Sequence, residues 1–391
     1  MRILIATGIF PPEIGGPAKY VPEIAEALVA KGHQVTVIAP RNLSVPSPIH
    51  NPPYHLLHFP HAHYARYINL IIELKRAFFA ILHEAQNCDI IFSNGLELPS
   101  IWVSQLTKKP LIMKIVGDRA WELFHTRRKT ALTIEEFQFS KKWNHRLLRN
   151  IFHDGAKKAN AIIVPSQYLS RIVENWGIEK KKIFVIYNSI NENAEYLKQC
   201  NNLDTSLGFS SGIRLVSIGR LLPHKNIDEI IKILPSIPAA NLVLIGDGPL
   251  KNLLQQLAVE LGLSDRVMLV GSQDQIFIHK LLSKNCDIFI LNSSYEGLPH
   301  VLLEASYNNI PIIATRVGGT IEFIQDKVTG LLITPHNSEE LIKAINTLTE
   351  NTRLRQEIIL NAKKRLKCFS FKRMVIETEK LLYSNLPSIQ R

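Results

Sequence analysis

Two glutamates separated by seven residues, Glu296 and Glu304, lie in the segment SSYEGLPHVLLEASYN at 293–308. The apolar run before it, 287–291, reads as a buried strand, so Glu296 falls in a post-strand loop and Glu304 about one turn inside the helix that HVLLEASY begins. A strand, a small-residue loop and a helix N-terminus together offer free backbone N–H groups and a positive dipole end, which suit a phosphate. A carboxylate one turn inside that helix can accept two hydroxyl donors, as a ribose presents them. A second segment, IGRLLPHKNI at 218–227, puts Arg220 and Lys225 in one loop after a strand, where two cations can clamp a pyrophosphate. In LVLIGDGPL at 242–250, Gly246 and Gly248 permit a tight turn with close approach of a ligand. Nearer the start, PEIGGP at 12–17 places Gly15 and Gly16 after the first strand, where backbone amides can approach a phosphate or sugar. The segment IVGDRAWE at 115–122 places Asp118, Arg119 and Glu122 beyond the end of another strand. Any one of these, taken singly, is also what a solvated loop charge or a plain turn looks like.

The elements that must hold these residues recur along the whole chain. Short β-branched and aliphatic runs at 1–6, 35–39, 90–93, 111–116 and 161–164 alternate with amphipathic stretches, among them 20–30 and 66–83. Residues 191–212 break the rhythm, being polar, rich in Asn and Ser and without apolar spacing. The cycle restarts at 213–218, 242–245, 267–270, 288–291 and 311–314. This predicts α/β architecture with two doubly wound, parallel-sheet domains of similar size joined by a linker. The expected domains are 1–190 and 191–368, with 369–391 forming a final helix. A chain of 391 residues with 46% hydrophobic and 20% charged residues suits two such cores and excludes extensive disorder.

Absences narrow the chemistry. The chain has no GxxxxGK[ST] and no HExxH, its one GxSxG (GFSSG at 208–212) lies in a polar stretch rather than at a strand-to-helix elbow, and no GxGxxG follows the first strand. The four cysteines, Cys88, Cys200, Cys286 and Cys368, form no CxxC pair, which fits a reducing, cytoplasmic setting. The N-terminus does not read as a secretory signal, and no run approaches a membrane span. Histidines at 50, 55, 58, 61 and 63 lie in a Pro-rich stretch without helical ligand pairs, so a metal site is not expected there. The net charge is +12, and residues 105–160 alone carry 13 Lys/Arg against 5 Asp/Glu. Such a surplus points to an anionic partner. The apolar face of 66–83, with Lys75 and Arg76 opposite, is either a helix packed on the core or a surface for anionic lipid.

Taken in order, these segments resemble the GT-B glycosyltransferases of family 4, the retaining group that uses nucleotide sugars. The residues that carry the resemblance are Gly15–Gly16, VPSQYLS at 164–170, YNSIN at 187–191, GRLLPHKN, IGDGP, EGLPHVLLE and PIIATRVGG at 311–319. The resemblance implies two Rossmann-like domains facing across a cleft, acceptor on the first and donor on the second, with the last helix crossing back to the first. Position by position it implies that Arg220 and Lys225 neutralise the donor diphosphate. It further implies that Glu304 holds the ribose, Glu296 contacts the donor sugar or its phosphate, and amides near Leu298, His300 and Val301 bind the phosphates. Val270 and Gly271 would lie near the base, Gly246 would belong to the donor loops, and Gly16 would close on the diphosphate. Many relatives carry a His in the loop after the strand at 111–116; here Asp118 takes that position as the expected acceptor-orienting or proton-accepting group, with His125 nearby as the alternative. No metal or cofactor is expected beyond the nucleotide-sugar co-substrate. The expected acceptor is a sugar or a lipid-linked sugar, in cell-surface polysaccharide or glycolipid synthesis, with a peripheral place on the inner membrane face. Competing readings are a sugar-nucleotide epimerase on the same fold and a basic nucleic-acid-binding protein; the second lacks any recognition motif, so no nucleic acid is expected.

Overall fold

The computed structural model describes residues 1–13, 15–41, 51–60, 66–125, 132–192 and 211–386. Two compact units divide the chain. One comprises Met1–Glu122, Leu132–Tyr187 and Lys372–Arg391; the other comprises Leu123–Ala131 and Asn188–Phe371. The first thus ends at 187 rather than 190, and the short stretch beginning at Leu123 groups with the second unit, which the sequence did not anticipate.

The first unit holds seven strands: β1 (Arg2–Thr7), β2 (Gln34–Arg41), β3 (His55–Pro60), β4 (Ile90–Asn94), β5 (Leu111–Lys114), β6 (Ala161–Val164) and β7 (Ile183–Val185). They form one sheet in the order β3-β2-β1-β4-β5-β6-β7, and every pair is parallel. β1, β4, β5 and β6 are buried almost throughout, which is why they read as unbroken apolar runs rather than alternating ones. The second unit holds β8 (Ile213–Ile218), β9 (Ala240–Ile245), β10 (Val267–Gly271), β11 (Ile288–Leu291), β12 (Ile312–Thr315) and β13 (Leu331–Ile333). Its parallel sheet runs β10-β9-β8-β11-β12-β13. Leu215, Leu242, Ile288 and Ile313 from these strands pack with Ile230, Leu254 and Ile345 from the flanking helices in one core. Both units are therefore the doubly wound α/β layers that the sequence rhythm predicts.

Three strands were not foreseen. β7 and β13 are three residues each, too short for a periodic signal. β3 lies inside the His- and Pro-rich stretch, which carries no apolar run. It survives there because it occupies the sheet edge, where nearby prolines cost no ladder hydrogen bonds. His55 and His58 are thus strand residues, and His50, His61 and His63 fall outside the described residues, as does most of the linker at 191–212.

The last helix, Phe371–Ser384, belongs from Lys372 onward to the first unit. Glu379 anchors it, taking Lys31 Nζ at 2.8 Å on one oxygen and His33 Nε2 at 2.9 Å on the other. The Lys31 hydrogen bond, reinforced by His33, holds the Glu379 carboxyl below the usual carboxylate range. A depressed carboxyl contributes stability that is complete above about pH 4.3, its ordinary value, and fades as pH falls through the folded value. Glu379→Gln is therefore expected to cost roughly 1 kcal/mol at pH 7. The gap from the unsubstituted protein should close only as pH falls through that lowered value; urea unfolding at neutral pH and through the acid range checks both statements.

Candidate functional site

In an open parallel sheet, ligands bind beyond the carboxyl ends of the strands, where the strand order reverses. In the second unit that point lies between β8 and β11. The loop after β8 carries Arg220 and Lys225, and the loop after β11 carries Glu296 and leads into the helix His300–Tyr307. Lys225 Nζ meets Glu296 Oε1 at 2.5 Å, and Ser293 Oγ donates to the same oxygen at 2.6 Å. Thr315, at the end of β12, donates in turn to the Ser293 carbonyl. Glu296 is only 7% exposed, so its charge is balanced locally by Lys225 rather than by water. Arg220 is exposed and has no ion pair among the described residues.

The two loops are stitched together by a reciprocal pair. Asn226 Nδ2 donates to the Asn292 carbonyl at 3.0 Å, and Asn292 Nδ2 donates to the Asn226 carbonyl at 3.2 Å and to Glu229 Oε2 at 2.7 Å. Asn226 sits in the left-handed region, φ 47°, a conformation that Asn tolerates better than most residues. Ser294 N also donates to the His224 carbonyl at 2.8 Å. Burial drives the His224 imidazole down to about 2, assisted by Lys225, His125 and Arg220, so it is neutral at physiological pH. The segment after the first unit supports the same loop: Asn188 Nδ2 donates to the Leu298 carbonyl at 2.8 Å, and His300 Nδ1 lies 3.3 Å from the Ser189 carbonyl.

Glu304 is buried inside the helix His300–Tyr307, and the backbone N–H groups of His300 and Val301 fall in its first turn, where a helix provides no acceptors. Gly246 follows β9 and donates its N–H to the Gly271 carbonyl at 2.9 Å, while Gly219 N donates to the Ile245 carbonyl at the same distance. The loops after β8, β9 and β10 thus form one backbone-linked rim. Val270 and Gly271 end β10, two strands from β8, and the Val270 carbonyl accepts Gln273 Nε2 at 3.2 Å. The structure therefore gathers Arg220, Lys225, Gly246, Glu296, Leu298, His300, Val301 and Glu304 at the carboxyl end of the second sheet, with Val270 and Gly271 on the outer part of the rim.

Gly15 and Gly16 belong to the first unit. Gly15 caps the helix Gly16–Ala30 in an extended conformation and accepts Lys19 N on its carbonyl at 3.4 Å. Asp118 departs from the expectation that it faces an acceptor. Its side chain is 0% exposed, with Oδ1 accepting Trp121 N at 3.1 Å and Oδ2 accepting Gln138 Nε2 at 2.8 Å and facing His153 Nε2 at 3.2 Å. Burial alone would raise this carboxyl, but the His153 hydrogen bond and charge, with Gln138 and Trp121, outweigh it and hold the carboxyl below its ordinary range. His153 is stacked on Trp176 at 4.1 Å, and Trp176 Nε1 donates to Gln138 Oε1. Asp118 is thus the centre of a closed polar network that positions the loop after β5. Asp118→Ala is expected to cost about 3 kcal/mol, because it leaves buried donors unpaired. Chemical unfolding measures that loss, and Asp118→Asn should recover part of it. His125, the alternative, lies in the second unit with its ring 5.8 Å from that of His224, and burial lowers its pKa.

Ser293, Thr315, Asn188 and Asn226 lie within the quoted motifs but nothing in the sequence gives them a supporting role, and Asn292 lies outside those motifs. Among the described residues, no group of three or more His, Cys, Asp or Glu side chains is placed to hold a metal, and no helix is long and apolar enough to cross a membrane.

Comparison with known proteins agrees with this fold. Residues 14–194 match the family described as Glycosyltransferase Family 4, and residues 205–365 match that described as Glycosyl transferases group 1. N-acetyl-alpha-D-glucosaminyl L-malate synthase of Bacillus anthracis is 26% identical over 332 residues, covering 82% of this chain and 81% of that protein. A Campylobacter jejuni protein, N-acetylgalactosamine-N,N'-diacetylbacillosaminyl-diphospho-undecaprenol 4-alpha-N-acetylgalactosaminyltransferase, is 29% identical over 215 residues, 54% of this chain and 57% of its own. The HepE protein of Anabaena, solved in complex with UDP-glucose, has the same fold: TM-score 0.77 over 98% of this chain and 100% of that one, at 22% identity. One matched region falls on each parallel-sheet unit, and the chain belongs to the GT-B glycosyltransferases of group 1 and family 4.

Proposed function

We propose that the protein transfers a sugar from a nucleoside-diphosphate donor to a sugar or lipid-linked acceptor, with retention at the anomeric carbon and without a metal, in cell-surface polysaccharide or glycolipid synthesis. The observation that carries this reading is the Lys225–Glu296 pair at the β8/β11 switch point, with Arg220 on the same loop and the N-terminus of His300–Tyr307 beside it. In this reading Arg220, Lys225 and the N–H groups of His300 and Val301 face the diphosphate, whose charge grows as it departs. Glu304 accepts the ribose hydroxyls. Glu296, which shares Lys225, contacts the donor sugar. The bond from the anomeric carbon to the diphosphate oxygen breaks, the acceptor oxygen bonds to that carbon from the same face, and the acceptor proton passes to the departing diphosphate. Val270 and Gly271 border the base.

The two relatives named above are named for compounds as different as a glucosaminyl L-malate and a diphospho-undecaprenol-linked sugar; this chain's basic surplus favours a lipid-linked acceptor. Calorimetric titration of UDP, GDP and ADP, first without metal and then with Mg²⁺, tests the donor assignment. Micromolar binding of one nucleotide, equal in both conditions, is the expected result. Silence from all three would remove the transferase reading, and binding only with Mg²⁺ would remove its metal-free form.

A further inference from the structure

The helix Trp143–Ala156 in the first unit presents Trp143, Leu147 and Ile151 in one row at four-residue spacing, and all three face solvent, at 77%, 51% and 42% exposure. Phe139, 74% exposed, ends the short helix just before it. That residue is held in place rather than trailing. Arg149 donates from within the helix to the carbonyls of Phe137, Gln138 and Ser140, and Ser140 Oγ lies 2.8 Å from His145 Nδ1. A globular protein seldom leaves three large apolar side chains in one exposed row with a fourth exposed just ahead of it, because water penalises each of them.

Lys141, Lys142 and Arg146 surround Trp143, all exposed and without an ion pair among the described residues. The nearest acid on this helix, Asp154, is already paired with Lys157 at 2.6 Å. Next along the layer, the helix Glu97–Thr107 exposes Trp102 and Leu106. We infer that this face docks on an anionic bilayer, with Phe139, Trp143, Leu147 and Ile151 entering the headgroup region and the three cations meeting lipid phosphates. Charge decides between occupants. A second copy of the chain packed about a two-fold axis along this row would set these cations against their own counterparts, and the nearest exposed acids, Glu135 and Glu136 on the preceding short helix, already accept from Tyr168 Oη and Thr133 N. A nucleic acid would satisfy the cations but leave Leu147 and Ile151 with nothing apolar to cover them. The helix Arg66–Ala85 instead exposes a mixed row of Ile71, Lys75, Phe79 and His83.

The inference is independent of the donor site. Flotation with phosphatidylcholine vesicles, with and without phosphatidylglycerol, tests it on the full chain. Three basic side chains at an anionic surface are worth roughly a hundredfold in partition at low salt. The protein should therefore float with phosphatidylglycerol vesicles, at least about tenfold less with phosphatidylcholine alone, and progressively less as salt rises. Leu147→Glu and, separately, Arg146→Glu should each cut flotation about tenfold or more, while UDP titration and circular dichroism stay unchanged. Equal flotation on both vesicles, no flotation, or full flotation of both variants would overturn the inference. So would a concentration-dependent dimer that Leu147→Glu dissolves, or duplex DNA that competes the protein off the vesicles.

Discussion

Lys225→Ala should weaken nucleotide binding on the order of a hundredfold and lower turnover by at least as much, since truncating one partner of a buried, hydrogen-bonded charge pair costs about 2–5 kcal/mol. Two losses combine. The donor diphosphate loses a cation at the switch point, and Glu296 is left as a nearly buried carboxylate whose remaining partner is the Ser293 hydroxyl. The second loss makes the site itself repel a diphosphate. Glu296→Gln removes that repulsion, so in the Lys225→Ala background it should restore part of the nucleotide affinity while leaving turnover low. Arg220→Ala is expected to be milder, because that side chain is exposed and a solvated charge contributes less. Calorimetry of the four proteins separates these effects. An affinity for Lys225→Ala within about threefold of the unsubstituted protein would mean that the diphosphate does not reach this loop.

Gly246→Ala should unfold the second unit or nearly so. Gly246 has φ +138°, and a Cβ there would sit 1.9 Å from the Gly219 carbonyl oxygen, which is backbone and has no rotamer to move to. The strain falls on the rim that links the loops after β8, β9 and β10, so relief by moving the chain would break the Gly219–Ile245 and Gly246–Gly271 hydrogen bonds as well. A loss of at least about 4 kcal/mol is expected, at the extreme of single substitutions, which corresponds to a fall in Tm of roughly 8–16 °C for a unit of this size. Gly262 provides the internal comparison. It also has positive φ, +67°, but a Cβ added there would meet nothing within 4 Å. Gly262→Ala should therefore cost only the backbone preference, about 1–2 kcal/mol. Thermal unfolding of both variants checks the contrast, and near-equal losses would show that the close approach at Gly246 is relieved without difficulty.

The parts of the architecture that were legible in sequence are those whose burial is nearly complete. β1, β4, β6, β8 and β11 read as apolar runs because helices cover both faces, and their order alone predicts two doubly wound sheets. β3 escaped because His55-Leu-Leu-His-Phe-Pro60 has neither a continuous apolar run nor a clean alternation, being an edge strand with one face partly open. In the second unit the loop residues were nameable from strand–loop–helix punctuation, since Arg220, Lys225, Glu296 and Glu304 lie where any parallel sheet puts its ligand-facing loops. Their pairing was not. Lys225 and Glu296 are 71 residues apart, and only the reversal of strand order at β8/β11 brings them together. Asp118 shows the limit most sharply. Its place after β5 is right for a ligand-facing group, but the direction of its carboxylate is set by Gln138 and His153, 20 and 35 residues further on.

Hydrogen–deuterium exchange of the intact protein, with UDP, GDP and ADP added in turn, tests most directly where the donor binds. One nucleotide is expected to slow exchange in peptides spanning 219–226, 246–248 and 293–304, the loops at the carboxyl end of the second sheet. Slowed exchange that leaves all three of these stretches unchanged, and appears elsewhere in the chain, would contradict a donor site at the β8/β11 switch point.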